Sequence, residues 1–405
     1  MWAELLPIGR SSATGGYRRY AWTGADADCR AWFRAQAESR GLAYELDRNG
    51  NQWAWLGDPE AGNAVVTGSH LDSVPDGGAF DGPLGVVASF AALDELRARG
   101  ARPDRPLAIT NFGDEEGARF GLACVGSRLA AGQLTPERAH ELRDADGVSL
   151  PQAMERAGYD PAGIGPDPER LARIGAFVEL HVEQGRALAL PSDGAPDGSP
   201  VGVASAIWPH GRWRFDFRGE ANHAGTTRIE DRRDPMLTYA ETVLAARAAA
   251  VRTGALATFG KVAVEPNGVN AIASLVRGWL DSRAPDEETL DAVVGEIERA
   301  ATGRGSRDGV AVEVTRESFT PVVEFEHGLR DKLAALLGRD GTPVPVLPTG
   351  AGHDAGILSA SVPTAMLFVR NPTGVSHSPA ETAAEDDCLA GVSALADVLE
   401  GLACR

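Results

Sequence analysis

Cysteine is scarce in this sequence. Cys29, Cys124, Cys388 and Cys404 are the four, and no pair has C-x-x-C spacing. That argues against both a disulfide framework and a thiolate zinc site. No apolar run reaches membrane-spanning length, and MWAELLPIGR lacks the basic stretch and apolar core of a secretory leader. A soluble, cytoplasmic protein with no membrane partner is the expectation. Positive charge is also in deficit: 39 Lys and Arg against 57 Asp and Glu leave a net charge of −18, which tells against nucleic acid as a partner. There is no internal repeat or low-complexity tract. What remains, 405 residues with 43% hydrophobic and 24% charged, is ordinary globular composition and enough for two or three domains.

The stretch that organises the chain is Gly68–Gly82, GSHLDSVPDGGAFDG. It places His70, Asp72 and Asp81 on a short apolar strand and the Gly/Pro-rich loop that leaves it. A metal-ligating histidine needs a hydrogen-bond acceptor on its other ring nitrogen. Residues two apart in an extended segment share a face, which suits Asp72 to be that acceptor for His70. Asp81 can offer one oxygen to each of two cations, the arrangement that holds paired metals. Asp114-Glu115-Glu116 follows a second apolar strand in the same way.

In chain order, apolar spacing predicts a helix over Asp26–Arg40, a strand over Ala64–Gly68, a helix over Pro83–Arg99 and a strand over Leu107–Phe112. The last three form a β-α-β unit, which implies parallel strands with helices on the faces and ligands beyond the strands' carboxyl ends. Short helices punctuated by Pro and Gly fill Gly126–Gly175, and strand Ala176–Leu180 then delivers His181 in HVEQG. Pro191–Pro200 is loop chemistry near a boundary. From Gly211 the order becomes strand Arg212–Phe217, helix Pro235–Arg252, strands Ala257–Val264 and Ser274–Asp281, helix Glu287–Ala301 and strand Val310–Arg316. This is the split β-α-β, ferredoxin-like pattern. The fold class is therefore α/β: a mixed, mainly parallel sheet flanked by helices over 1–208 and 319–405, with an α+β domain inserted at 209–318.

Of eight histidines, His70, His181, His223, His353 and His377 lie in Gly/Ser/Asp-rich loops after predicted strands. His70, Asp81, Glu116, His181 and His377 make a full donor set for two divalent ions with Asp81 shared. Imidazole and carboxylate without thiolate suit Zn²⁺, Mn²⁺, Co²⁺ or Ni²⁺. In an extended segment Glu115 and Glu116 would point opposite ways. One binds and the other faces the water to be activated, so Glu116 is assigned as ligand and Glu115 as base.

GSHLDSVPDGGAFDG, DEEGARF, ELHVEQG, ANHAGTTR, EPNGVNAI, LDSR, GAGHDA and SHSPAE, in this order from Gly68 to Glu381, resemble the hydantoinase/carbamoylase (amidase) branch of the M20 metallopeptidase family. That branch includes allantoate amidohydrolases, N-carbamoyl-L-amino-acid hydrolases and β-ureidopropionases. The resemblance implies one metal among His70, Asp81 and His181 and another among Asp81, Glu116 and His377, with Glu115 as base. It implies that the inserted domain is a lid through which a homodimer forms. His223 would polarise the scissile carbonyl, often from the partner subunit. Gln184 would lie near metals and substrate, Asn270 and Arg283 would hold the substrate carboxylate, and Gly352 would bring backbone to the substrate. His353 and Asp354 are read as supporting residues. The implied substrate is a small ureido or N-acyl carboxylate: allantoate first, giving ureidoglycine, ammonia and carbon dioxide, then an N-carbamoyl-L-amino acid or another N-acyl amino acid such as N-formylglutamate. A non-catalytic binding protein of this fold would lack a ligand or the base, and none is missing. Two departures, Arg228-Ile229 after ANHAGTT and Arg370 before SHSPAE, bear on the substrate and leave the reaction type untouched.

Overall fold

The computed structural model describes residues 1–191, 198–338 and 343–404. The chain divides into two compact units, Met1–Ala206 with Glu324–Arg405, and Ile207–Val323.

The first unit is built on a mixed sheet of nine strands among the described residues. In chain order they are β1 (Ala43–Leu46), β2 (Gln52–Leu56), β3 (Ala64–His70), β4 (Leu107–Phe112), β5 (Ile174–Val182) and β6 (Val201–Ile207). After the second unit come β13 (Val323–Glu324), β14 (Val346–Thr349) and β15 (Thr364–Val369). The order is β1-β2-β4-β3-β5-β15-β6-β13, with β14 against β6. Its four central strands, β4, β3, β5 and β15, are parallel. Their residues read as continuous apolar runs because helices cover both faces, and β3, β4 and β15 are buried throughout. Helix Pro83–Ala98 starts with Pro in its first turn and buries Leu84, Val86, Phe90, Leu93 and Leu96 against the sheet. Helix Glu385–Ala403 packs beside it.

The expected elements are present with shifted ends. β3 runs two residues further than its apolar core and β5 starts earlier and ends later, which puts His70 and His181 inside strands. The β1–β2 hairpin was not anticipated. Its turn holds Asn49-Gly50, with Gly50 at φ 82°, and Asp47 accepts the backbone N–H of Asn49 and Asn51. The expected loop at Pro191–Pro200 lies largely outside the described residues.

The second unit carries β7 (His210–Arg218), β8 (Asn222–His223), β9 (Leu256–Glu265), β10 (Ala271–Ile272), β11 (Leu275–Arg283) and β12 (Ala311–Thr320). Its main sheet is antiparallel in the order β12-β7-β11-β9, the split β-α-β arrangement, while β8 pairs with β10. Helices Pro235–Thr253 and Glu287–Asp308 pack together, over a core of Trp213, Phe215, Phe217, Val276, Leu280, Leu290 and Ile297. The second helix runs past the expected stop at Ala301, through Gly303 and Gly305. A Cβ at Gly305 would meet the Val310 carbonyl and the Val312 side chain, so glycine there is a packing requirement and not a terminator.

Candidate metal centre

The four parallel strands end on one side of the sheet, and each delivers functional side chains there. His70 closes β3, His181 lies near the end of β5, Asp114–Glu116 follow β4, and His353 and His377 follow β14 and β15. Asp81 sits at the start of helix Pro83–Ala98, in the loop after β3. Gly82, between them, has φ 82° and lies so close to the His70 ring that a Cβ would collide with it.

The ligand atoms converge. His70, Asp81 and His181 form one group, and Asp81, Glu116 and His377 a second, each offering atoms within 4.8 Å of one another. Asp81 Oδ1 lies 3.2 Å from His181 Nε2 and 3.8 Å from His70 Nε2, while its Oδ2 lies 3.3 Å from His377 Nε2. Glu116 Oε2 is 3.8 Å from His377 Nε2 on that side, and Glu115 Oε2 is 3.8 Å from His70 Nε2 on the other. The outward ring nitrogens have acceptors: Val182 O at 2.9 Å for His181, and for His70 the Asp72 carbonyl at 3.2 Å with its carboxylate at 3.4 Å. Asp72 does more than was expected of it. Its two oxygens also accept the backbone N–H of Glu115 and Glu116.

The picture of Glu115 and Glu116 on opposite sides of an extended segment does not hold. Residues 113–116 form bends, with Asp114 at φ 58°, and both carboxylates join one group with His70. Gln184 Nε2 donates to Asp81 Oδ2 at 2.9 Å and is 3.2 Å from His377 Nε2. Gly352 is exposed beside the buried His353, whose ring packs on His181 with centroids 4.5 Å apart. Arg370 pairs with Asp387, and Arg228 with Glu230 and Asp231.

In the second unit His223 and Asn270 are neighbours: His223 pairs with Ala271, and the Asn270 carbonyl accepts the Ala224 N–H. Arg283 ends β11, opposite His210 and Leu256, beside Asp281. At roughly 3.3 Å per residue, β11 spans about 26 Å, so Asn270 and Arg283 of one chain lie at opposite ends of the sheet. The expectation that both hold one carboxylate cannot be met by a single copy of this unit.

Four further residues belong to the constellation. Glu381 and Ser376 bond to the Asp81 segment, and Glu179, buried in β5, accepts from Ser69 Oγ at 2.7 Å and Ala355 N at 3.0 Å. Ser127 donates to Asp354. Period-two spacing could have found Glu179, which shares a strand face with His181.

The electrostatics ask for cations. Asp72, Asp81, Glu115 and Glu116 meet three imidazoles, and no lysine or arginine pairs with them among the described residues. Burial pushes Glu115 well up and, with Asp81 adding to it, Glu116 to about 7. Burial pulls the His70 imidazolium down, but Glu115 and Asp72 more than offset it, and His70 stands well above its ordinary value. The bond to Asp81 lifts His377 to about 9. Glu116 Oε1 and Gln184 Oε1 are buried without a hydrogen-bond partner. Three histidines made basic by crowded carboxylates, with orphaned oxygens among them, fit a pair of divalent ions.

The sequence profile of Peptidase family M20/M25/M40 matches residues 66–401. The chain belongs to this family. An N-carbamoyl-L-amino acid amidohydrolase of Geobacillus stearothermophilus is 36% identical over 403 residues, covering 98% of this chain and 96% of that protein. An allantoate amidohydrolase of Bacillus subtilis is 32% identical over 403 residues, covering 99% and 96%. The crystal structure of a hydantoinase/carbamoylase-family amidase from Burkholderia multivorans superposes with a TM-score of 0.85 at 29% identity, covering 100% of this chain and 96% of that one. The M20 chain is accordingly an amidohydrolase of carbon–nitrogen bonds other than peptide bonds, with residue groups that could hold two metal ions. A non-catalytic role is set aside. No helix among the described residues is long and apolar enough to cross a membrane.

Proposed function

We propose that this M20 amidohydrolase cleaves a linear ureido C–N bond in a small carboxylate, with allantoate as first substrate. The observation that carries this reading is Asp81, which turns one oxygen to His70 and His181 and the other to His377, beside the Glu115 carboxylate. His70, Asp81 and His181 would hold one ion, and Asp81, Glu116 and His377 the other. Two divalent ions bound there would supply Lewis acidity and lower the pKa of water. Glu115 takes the proton of the attacking water and delivers it to the departing nitrogen. Asp72 keeps Glu115 and Glu116 in place through their backbone N–H groups. His223 polarises the scissile carbonyl, and Gln184, Asn270, Arg283 and the Gly352 backbone hold the substrate. Arginine suits a carboxylate because its planar fork binds both oxygens. An N-carbamoyl-L-amino acid is the second reading, favoured by the 36% identical relative.

The reading includes a second copy of the chain. Helix Pro235–Thr253 exposes Leu237, Leu244 and Val251, seven residues apart, at 54%, 64% and 78%. The edge strand β9 exposes Leu256 and Val262. An apolar stripe near an open strand edge favours self-association. A dimer would also let one copy supply His223 and Asn270 and the other Arg283.

The test is a panel of allantoate, N-carbamoyl and N-formyl amino acids and a dipeptide, followed by product formation. Fastest release of ammonia from allantoate is expected, and preference for the dipeptide would overturn the ureido assignment. Chelation should abolish turnover and re-metallation restore it. Leu244→Glu should convert a dimer to a monomer in sedimentation; an unchanged assembly would remove that helix from the interface.

A further inference from the structure

Glu381 is a buried carboxylate whose two oxygens join chain segments 300 residues apart. Its Oε1 accepts the backbone N–H groups of Phe80 and Asp81, each at 3.0 Å, and its Oε2 accepts the Ser376 hydroxyl at 3.0 Å. The Ser376 hydroxyl is also 3.3 Å from Asp81 Oδ2, the oxygen that faces His377. Gly78 lies against this carboxylate so closely that a Cβ there would collide with it. Glu381 belongs to neither ligand group, because its oxygens are already engaged by three donors.

His70 and His181 sit on strands and hold their places without Glu381. His377 does not: it lies on a loop, its backbone is left-handed at φ 54°, and its side chain is 52% exposed. A β-carbon residue adopts that backbone only when its surroundings impose it. The Ser376–Glu381 bond and the Glu381–Asp81 bonds tie this loop to the bridging carboxylate. We infer that Glu381 is a positioning residue that fixes the spacing between Asp81 and His377, and so selectively builds the Asp81–Glu116–His377 metal site. The inference rests on the two-metal reading and concerns one ion of the two.

The test titrates Mn²⁺ into chelator-treated protein and counts free ion by its EPR signal, with circular dichroism checking the fold of each variant. The wild type should bind two equivalents. Glu381→Ala should keep one and bind the second about 10- to 100-fold more weakly, as loss of a partner behind a ligand typically does. Glu381→Gln, whose amide oxygen still accepts both N–H groups, should restore the second equivalent. Ser376→Ala should give a smaller loss at the same site. Two unchanged equivalents in Glu381→Ala would overturn the inference and leave the two-metal reading standing, as would equal weakening of both. A wild type that binds fewer than two ions would instead overturn the two-metal reading and the inference with it.

Discussion

The donor set has two halves that are built differently. His70 and His181 come from β3 and β5, central parallel strands, with side chains 1% and 0% exposed. Glu116 and His377 come from loops, and His377 is half-exposed. On the strands, ladder hydrogen bonds and core packing set the geometry. On the loops, side chains from elsewhere must set it: Asp72 for Glu116, Glu381 and Ser376 for His377. One half is rigid because the sheet is, the other because it is tied down.

The largest effect expected concerns the group between the halves. Glu115→Gln should lower kcat about 10²- to 10⁴-fold while both metal ions are retained; a variant of near-normal rate would move the base elsewhere. His181→Ala against His377→Ala in the metal-free protein tests the contrast directly. The first opens a buried void and should destabilise by about 2–4 kcal/mol in urea. The second, compared above pH 9 where His377 has lost its proton, should stay within about 0.5 kcal/mol, as exposed substitutions do. Equal losses would erase the distinction drawn here. Gly82→Ala, forced to a positive φ against the His70 ring, should cost about 1–3 kcal/mol. In metal-free protein it should also raise the susceptibility of the strand half more than of the loop half, read by hydrogen exchange at β3 and at residues 370–381.

The smallest effect, because solvent screens the half-exposed His377 ring, is on pH. In the metal-free protein His377 keeps its proton up to about 9, against an ordinary 6.5, because Asp81 holds it. Between those values the folded chain binds a proton that the unfolded chain has released, so stability contributed by this group is complete below 6.5 and lost as pH rises towards 9. Melting temperature of the chelated protein should fall across that window, and His377→Ala should flatten the fall.

The strand half was legible in the sequence, because an apolar run ending in His is short-range information. Asp81 and the acidic triplet were legible from the same logic of loops after strands. The second unit's order of elements could be read from helical and strand periodicity alone. What could not be read was anything set by distant partners. The bends at 113–116 depend on a left-handed Asp114 and on Asp72, which turns Glu115 and Glu116 to the same side. Glu381 looks like any acidic loop residue until the fold brings it to Asp81. Asn270 and Arg283 are thirteen positions apart in sequence, yet the full length of β11 separates them. The Asn-Gly turn between β1 and β2 is, by contrast, a local signal of its hairpin.

The place of β15 has a consequence for biosynthesis. This strand is made after the whole second unit, yet it slots between β5 and β6 in the middle of the sheet. Such distant pairing closes slowly. A chain still lacking it would present His181, on β5, beside an open gap, and the arrival of β15 would both seal the sheet and bring in His377. Catalytic competence would then wait on a strand made after every other residue of the donor set.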